Sequence, residues 1–322
     1  MIKIGITMGD PKGIGPEIIA KAWKLISPSD RQRLRIYGDR TVLETAAQLV
    51  GTSFDPKQLA ITSSVAPPIG SISDPDAARI TLLALDAAIA DIKNKVTSAL
   101  ITAPVNKLRL QLVDTTFVGH TERLARAAGV KDIVMMFSCP PHLPQHQALR
   151  ISLVTSHVAL KDVSSRLSVQ RILVTIRLTA DALKRHFDCP EPRIAVLSLN
   201  PHGGEGGALG SEETELITPA IAKARKEGIT CLGPLPAEVI FAKTKDIDYD
   251  GVVAMYHDQG LTPMKITCPK KSVNMTLGLP YIRTSPGHGT AEDIAWRGNA
   301  SEDGMLAALE MTEHLLKTTS PL

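Results

Sequence analysis

Three apolar runs in this chain each end on a histidine. Ile151-Ser152-Leu153-Val154-Thr155-Ser156 leads to His157, and Ile194-Ala195-Val196-Leu197-Ser198-Leu199-Asn200-Pro201 leads to His202. Gly251-Val252-Val253-Ala254-Met255-Tyr256 leads to His257, with Asp258 beside it. Runs of this kind read as buried strands. In an open parallel sheet the carboxyl ends of the strands share one edge, and ligands bind in the crevice there. Three imidazoles brought to that edge could hold a divalent cation, with positions left open for substrate or water. The alternative for each is a hydrogen-bonded loop histidine, and the long intervals match no zinc-finger spacing. His142, His146, His186 and His314 lack the strand-end placement and read as surface residues.

A second set of residues suits an anion. Gly119-His120-Thr121-Glu122 reads as a turn entering a helix, whose free N–H groups favour negative charge. Pro201-His202-Gly203-Gly204-Glu205-Gly206-Gly207 is a glycine run where backbone can approach a ligand. Lys265, Asn274 and Arg283 flank the run Val273–Ile282; each alone reads more readily as a solvated surface residue, and only their clustering after His257 suggests a site. The loop Gly9-Asp10-Pro11-Lys12-Gly13-Ile14-Gly15 fits neither familiar nucleotide fingerprint. In Pro286-Gly287-His288-Gly289-Thr290-Ala291-Glu292-Asp293, Thr290 with Asp293 fits a capping box and predicts a helix opening there.

The elements that must carry these residues alternate. Strands are expected at Ile2–Met8, Arg35–Gly38, Ser98–Val105, Ile151–Thr155, Ile194–Leu199 and Gly251–Met255. Helices are expected at Glu17–Leu25, Thr41–Val50, Asp74–Lys95, Val163–Phe187 and Glu212–Glu227. This order predicts βαβ units and a mostly parallel sheet, an α/β fold. The segment Cys139–Gln147, rich in Pro and His, reads as a surface excursion.

With 322 residues, the chain suits two domains or one large α/β unit. Its 36 Lys+Arg against 33 Asp+Glu give no broad basic surface, and aromatic residues at 3% supply no base-stacking platform, so no nucleic acid is expected as partner. No apolar run approaches the roughly 20 residues that span a bilayer, so no membrane partner is expected. The N-terminus reaches Asp10 before a signal-peptide apolar stretch develops, and the four cysteines are widely spaced. A reduced, cytoplasmic protein is expected.

These residues resemble a known family. Gly9-Asp10-Pro11 with Gly13-Ile14-Gly15-Pro16-Glu17, Thr102-Ala103-Pro104-Val105, Gly119-His120-Thr121-Glu122 and Leu199-Asn200-Pro201-His202 match motifs of the PdxA family, the 4-hydroxythreonine-4-phosphate dehydrogenases of pyridoxal phosphate biosynthesis. So do Gly233-Pro234-Leu235-Pro236-Ala237, Ala254-Met255-Tyr256-His257-Asp258-Gln259-Gly260, Asn274-Met275-Thr276-Leu277-Gly278-Leu279-Pro280 and Arg283-Thr284-Ser285. The resemblance runs nearly end to end. It implies the fold shared with isocitrate and isopropylmalate dehydrogenases, two α/β/α domains around a cleft. One would be residues 1–130 plus 283–322, carrying the cofactor loop; the other, residues 131–282, would carry the metal ligands and the dimer interface.

The resemblance also implies roles. Metal ligands fall on His157, His202 and His257, for Zn, Mg or Co. Substrate contacts fall on His120, Thr121, Lys265, Asn274 and Arg283. A loop similar to the adenosine-binding loop of the related dehydrogenases places His288, Gly289, Thr290, Ala291, Asp293 and Asn299 at an NAD or NADP cofactor. A homodimer with a shared active site is implied. So is oxidation of 4-phosphooxy-L-threonine to 2-amino-3-oxo-4-phosphooxybutanoate, which loses CO2 to give 3-amino-2-oxopropyl phosphate. Lys107 and Asp258 are the candidates for general base.

The sequence departs from the family's pattern at Lys12, at Asn106 before Lys107, at Pro286-Gly287 before His288, and in the 139–147 segment. Asn106 and Lys107 are similar to the branch acting on D-threonate or D-erythronate 4-phosphate, which is the alternative reading. Phosphate acyl transfer on a related fold and a non-catalytic binder of phosphorylated metabolites are the further rivals.

Overall fold

A computed structural model of the chain describes residues 3–64, 67–139, 149–242 and 248–318. His142, His146 and the 140–147 part of the Pro- and His-rich segment lie outside the described residues. The strands in chain order are β1 (Ile4–Thr7), β2 (Leu34–Asp39), β3 (Leu59–Ser63), β4 (Ala99–Thr102), β5 (Val134–Ser138), β6 (Arg150–Leu153), β7 (Arg193–Leu197), β8 (Thr230–Leu235), β9 (Gly251–Ala254), β10 (Val273–Leu277) and β11 (Ile282–Pro286). Two compact units result, Met1–Lys131 with Leu279–Glu313, and Asp132–Gly278 with His314–Leu322.

In the first unit the strand order is β3-β2-β1-β4-β11, every pair parallel. Parallel strands need helices on their faces, and the sequence supplies them with clear starts. The helix Asp74–Lys93 opens on Ser73, whose Oγ accepts the Asp76 N–H at 3.3 Å, with Pro75 and two aspartates in the first turn. Its buried face, Ala77, Ala78, Thr81, Leu85 and Ala88, repeats at helical spacing, and Ala78, Leu85 and Ala88 pack with Tyr37, Leu100, Leu110 and Phe117. Gly9 turns the chain out of β1 at φ 74°, and a Cβ there would meet the Pro104 carbonyl at 2.4 Å. Only glycine lets this loop lie so close to the end of β4.

In the second unit the order is β10-β5-β6-β9-β7-β8. The β10–β5 and β5–β6 pairs are antiparallel, and the rest are parallel. The helix Val169–His186 covers this sheet, capped by Ser168, whose Oγ accepts the Arg171 N–H at 3.1 Å. The core joins Ile151, Leu153, Ala195, Leu197, Val252 and Ala254 to Leu261 and Met264 of the helix His257–Thr267.

Several expectations from sequence are corrected. The expected helix Val163–Phe187 is two, Val163–Arg166 and Val169–His186, because Ser168 caps a new start. The expected Glu212–Glu227 helix begins with a wider π turn, Glu213–Ile217, before the α-helix Thr218–Lys226. No helix opens at Thr290: residues 292–298 form turns, with Ala291 at φ 43° and Trp296 at φ 63°. The Glu292 carboxylate is taken by Arg109 and Asn106, while Thr290 supplies its carbonyl to the Ile14 N–H. His186 and His314 are half-buried, not surface residues; His314 packs against Phe187 at 6.4 Å between ring centroids. Among the described residues, no helix is long and apolar enough to cross a membrane.

Candidate functional site

The histidines follow neighbouring strands of the second unit. β9 lies between β6 and β7, with Leu153 opposite Ala254 and Val196 opposite Val253. These registers send residues 157, 202 and 257 out past the same sheet edge. Backbone bonds continue the pairing beyond the strands: Val154 N–H to the Ala254 carbonyl at 2.9 Å, and Thr155 N–H to the Met255 carbonyl at 3.2 Å. Gln259 then staples two strand ends, accepting the Met255 N–H at 2.7 Å and donating to the Ser198 carbonyl at 2.6 Å.

His157 and His257 come together, their ring centroids 5.9 Å apart and tilted by 37°. An imidazole nitrogen bonds zinc at about 2.0–2.1 Å, so two rings sharing one cation have centroids roughly 5–6 Å apart. The separation of the pair falls within that spacing. Asp258 Oδ1 lies 2.7 Å from His257 Nδ1. A ring donating from Nδ1 to that carboxylate leaves Nε2 as the nitrogen with its lone pair available to a ligand. Asp258 is thereby placed as an orienting partner of His257.

His202 is exposed and left-handed, at φ 53°, in a run of positive-φ residues from 202 to 207. Among the described residues, no group of three His, Cys, Asp or Glu side chains is gathered closely enough to hold a metal ion. The structure thus brings two of the three sequence-selected histidines together, and His202 stands on the neighbouring loop. That loop is anchored by Glu213, 3% exposed, whose Oε1 accepts the Leu199 and Asn200 N–H groups at 2.7 and 2.8 Å. Its Oε2 accepts Asn200 Nδ2 at 2.9 Å. Sequence reasoning missed both Glu213 and Gln259, since neither sits in a spacing pattern.

The second unit also carries Lys265 and Asn274. Lys265, on the helix that His257 opens, donates to Ser272 Oγ at 2.9 Å, and burial holds its ammonium below the usual lysine range. Asn274, on β10, has its Oδ1 buried with no hydrogen-bond partner. A buried acceptor in that state asks for a donor.

In the first unit, the helix His120–Ala128 starts at Gly119 with no side-chain cap. Its first N–H groups are therefore left for another acceptor. Burial, then the charges of Arg283 and Lys107, hold the His120 imidazolium well below the usual histidine range, so His120 is neutral at pH 7. Arg283 stands on β11, 4% exposed, donating to Thr102 Oγ1 at the end of β4 at 2.5 Å. Burial pushes its guanidinium down to about 10. It is still charged at neutral pH. A buried cation, a neutral imidazole, Lys107 and the uncapped start of the helix at His120 and Thr121 together make an anion-accepting arrangement.

The 288–299 segment of the same unit exposes His288, Gly289, Asp293 and Asn299, while Thr290 and Ala291 are half-buried. A Cβ at Gly289 would meet nothing within 4 Å, so the backbone is open to a ligand there.

These features define an α/β enzyme architecture with an anion-accepting arrangement on one unit and a histidine pair at the strand ends of the other. Comparison with known proteins identifies it further. Residues 30–312 match the family model described as pyridoxal phosphate biosynthetic protein PdxA. The chain belongs to the PdxA family. It is 41% identical to the 4-hydroxythreonine-4-phosphate dehydrogenase of Desulforapulum autotrophicum, over 96% of this chain and 94% of that one. It is 38% identical to a Bradyrhizobium diazoefficiens protein whose name carries D-threonate 4-phosphate dehydrogenase as a provisional assignment, over 97% and 96%. Among solved structures, the 4-hydroxythreonine-4-phosphate dehydrogenase of Klebsiella pneumoniae superposes with a TM-score of 0.80 at 32% identity, covering 98% of this chain and 99% of that one. Isocitrate dehydrogenase from Methylococcus capsulatus, at 14% identity and a TM-score of 0.51, covering 98% of this chain and 86% of that one, shares the fold alone.

Proposed function

We propose that this chain oxidises the secondary alcohol of 4-phosphooxy-L-threonine to 2-amino-3-oxo-4-phosphooxybutanoate, which loses CO2 to give 3-amino-2-oxopropyl phosphate. The observation that carries this reading is the buried Arg283 guanidinium beside neutral His120, an arrangement suited to a phosphate monoester. The substrate-binding residues are His120, Thr121, Lys265, Asn274 and Arg283. Arg283 gives a charge-assisted bond, and the free N–H groups at the start of the His120–Ala128 helix add to it. Fixing the phosphate lets remote binding energy orient the carbon that reacts.

His157 and His257, with His202 from the neighbouring loop, would hold a divalent zinc, magnesium or cobalt ion. When bound, that ion supplies Lewis acidity toward the alcohol oxygen, and NAD or NADP accepts the hydride. Asp258 keeps the His257 ring in its metal-facing tautomer. Lys107 and Asp258 are the candidates to take the hydroxyl proton. His288, Gly289, Thr290, Ala291, Asp293 and Asn299 would receive the cofactor. The working assembly is a homodimer, in the cytoplasm.

The second reading, oxidation of D-threonate 4-phosphate, is favoured by Asn106 preceding Lys107 and by the Bradyrhizobium relative. One experiment separates the two. NADH and NADPH formation is followed with each phosphorylated acid, before and after chelation, and with each metal restored. Turnover of 4-phosphooxy-L-threonine alone, lost on chelation, is the expected result. Preference for the threonate ester would move the chain to the second reading, and turnover indifferent to chelation would remove the metal.

A further inference from the structure

We propose that Arg109 is a positioning residue that preorganises the 288–300 segment for its cofactor, a role resting on the reading of that segment given above. Arg109 belongs to the short helix Lys107–Gln111, and its side chain is 6% exposed. Its guanidinium reaches three carboxylates on three separate stretches of chain. Nη1 donates to Asp10, Nε to Asp74 at 3.0 Å, and Nη2 to Glu292 at 2.8 Å. Asn106 Nδ2 donates to the same Glu292 at 2.8 Å, and Lys12 Nζ closes the ring on Asp74 at 2.5 Å. A planar fork with five donors can serve three acceptors in fixed directions, and an ammonium cannot.

The segment it grips needs holding. Ala291 and Trp296 both adopt left-handed backbone, at φ 43° and 63°, which side chains other than glycine enter only when their surroundings over-determine it. The remaining bonds are laced to the first loop and its helix. Ile14 N–H donates to the Thr290 carbonyl at 2.9 Å and Trp296 Nε1 to the Pro11 carbonyl at 2.9 Å. Lys21 Nζ donates to the Gly298 and Ala300 carbonyls at 2.8 and 2.6 Å, and the buried Glu17 accepts the Ala300 N–H at 3.0 Å. Residues 290, 292, 296, 298 and 300 are thus tied inward, while His288, Asp293 and Asn299 stay exposed. The Gly9–Gly15 loop, which carries no nucleotide fingerprint, serves here as a cradle for another loop. Between Gly298 and Glu292 the only side chain bonding a carboxylate of the segment from a buried position, among the described residues, is Arg109.

The test uses Arg109→Lys, Glu292→Gln and Asn106→Ala in the full chain. Arg109→Lys keeps a cation beside the buried Asp10, and the other two change residues at the edge of the network, so folding is checked by thermal unfolding first. Trp23 is 2% exposed, so acrylamide quenching of the apoprotein reports on Trp296. Quenching should rise in Arg109→Lys and Glu292→Gln. NADH and NADPH titrations should show Kd raised about tenfold, with cofactor KM rising in step and kcat within about twofold, because losing preorganisation weakens binding without touching the reacting atoms. If both variants quench and bind as the parent does while His288→Ala and Asn299→Ala weaken binding, the segment reading stands and the role of Arg109 is refuted. If His288→Ala and Asn299→Ala also bind cofactor normally, both fall.

Discussion

Replacing Arg283 by methionine should make the apoprotein more stable and the enzyme worse. The guanidinium is 4% exposed, and burial brings it down to about 10, more than two pH units below the ordinary arginine range. At about 1.4 kcal/mol per pH unit, the charged form carries a burden of about 3 kcal/mol in the folded state. For a base whose folded value is depressed, this burden is fully present below the folded value and disappears only as pH rises past it, so it operates at neutral pH. Against it stand its polar contacts, among them the hydrogen bond to Thr102 Oγ1 at 2.5 Å, of the charge-assisted kind worth about 1.5–3 kcal/mol. A neutral side chain of similar length therefore gains about 1 kcal/mol, which for a unit of this size is an unfolding midpoint higher by roughly 2–4 °C. The same change removes a charged contact to phosphate, and KM for the phosphorylated substrate should rise about 10- to 100-fold. Differential scanning calorimetry with and without inorganic phosphate reads the first effect: the parent gains midpoint with phosphate and Arg283→Met does not. A variant that melts lower than the parent, keeps its KM and is still raised by phosphate would show that Arg283 is an architectural ion and that the anion arrangement is misassigned.

Three further outcomes are expected. His202→Ala should abolish metal-dependent turnover and weaken zinc binding in calorimetric titration while the fold survives; full activity in that variant would refute its role beside His157 and His257. Because His120 is held neutral, the unfolded chain takes up a proton that the native chain refuses once pH falls below about 6.5, so stability should drop with acid by up to about 1.4 kcal/mol per pH unit. His120→Asn should flatten that limb of the midpoint-against-pH curve, and an unchanged slope would place the acid sensitivity elsewhere. A Cβ on Gly260 would stand 2.8 Å from Ile151 and 2.9 Å from Leu153. Gly260→Val should therefore cost about 1–3 kcal/mol by overpacking, read by urea unfolding; an unaffected midpoint would mean the helix slides away freely.

What could be read from residues alone was whatever repeats or punctuates. Strand ends at His157, His202 and His257 stood out because each apolar run is short, β-rich and closed by a polar turn. The helix Asp74–Lys93 announced itself by Ser73, Pro75 and its alanine face. β10 and β11 did not, because Asn274, Arg283 and Thr284 interrupt their apolar pattern, and two of those interruptions, Asn274 and Arg283, are proposed substrate contacts. The helix expected from Thr290 and Asp293 failed for a related reason: Glu292, between them, is claimed by Arg109 from far along the chain. Glu213 was invisible and Gln259, quoted only within a motif, had no role assigned to it, since their value lies in which distant backbone groups they satisfy. Sequence pattern records the contacts a residue makes with its own element and is nearly silent about long-range polar ones.

The adjacency of β6, β9 and β7 has an evolutionary side. Each histidine hangs on its own connection, beyond a rung already fixed by the sheet, so lengthening or re-glycinating the run after β7 would move His202 and leave the other two imidazoles where they are. A lineage could thus shift one imidazole at a time without ever renegotiating the scaffold beneath.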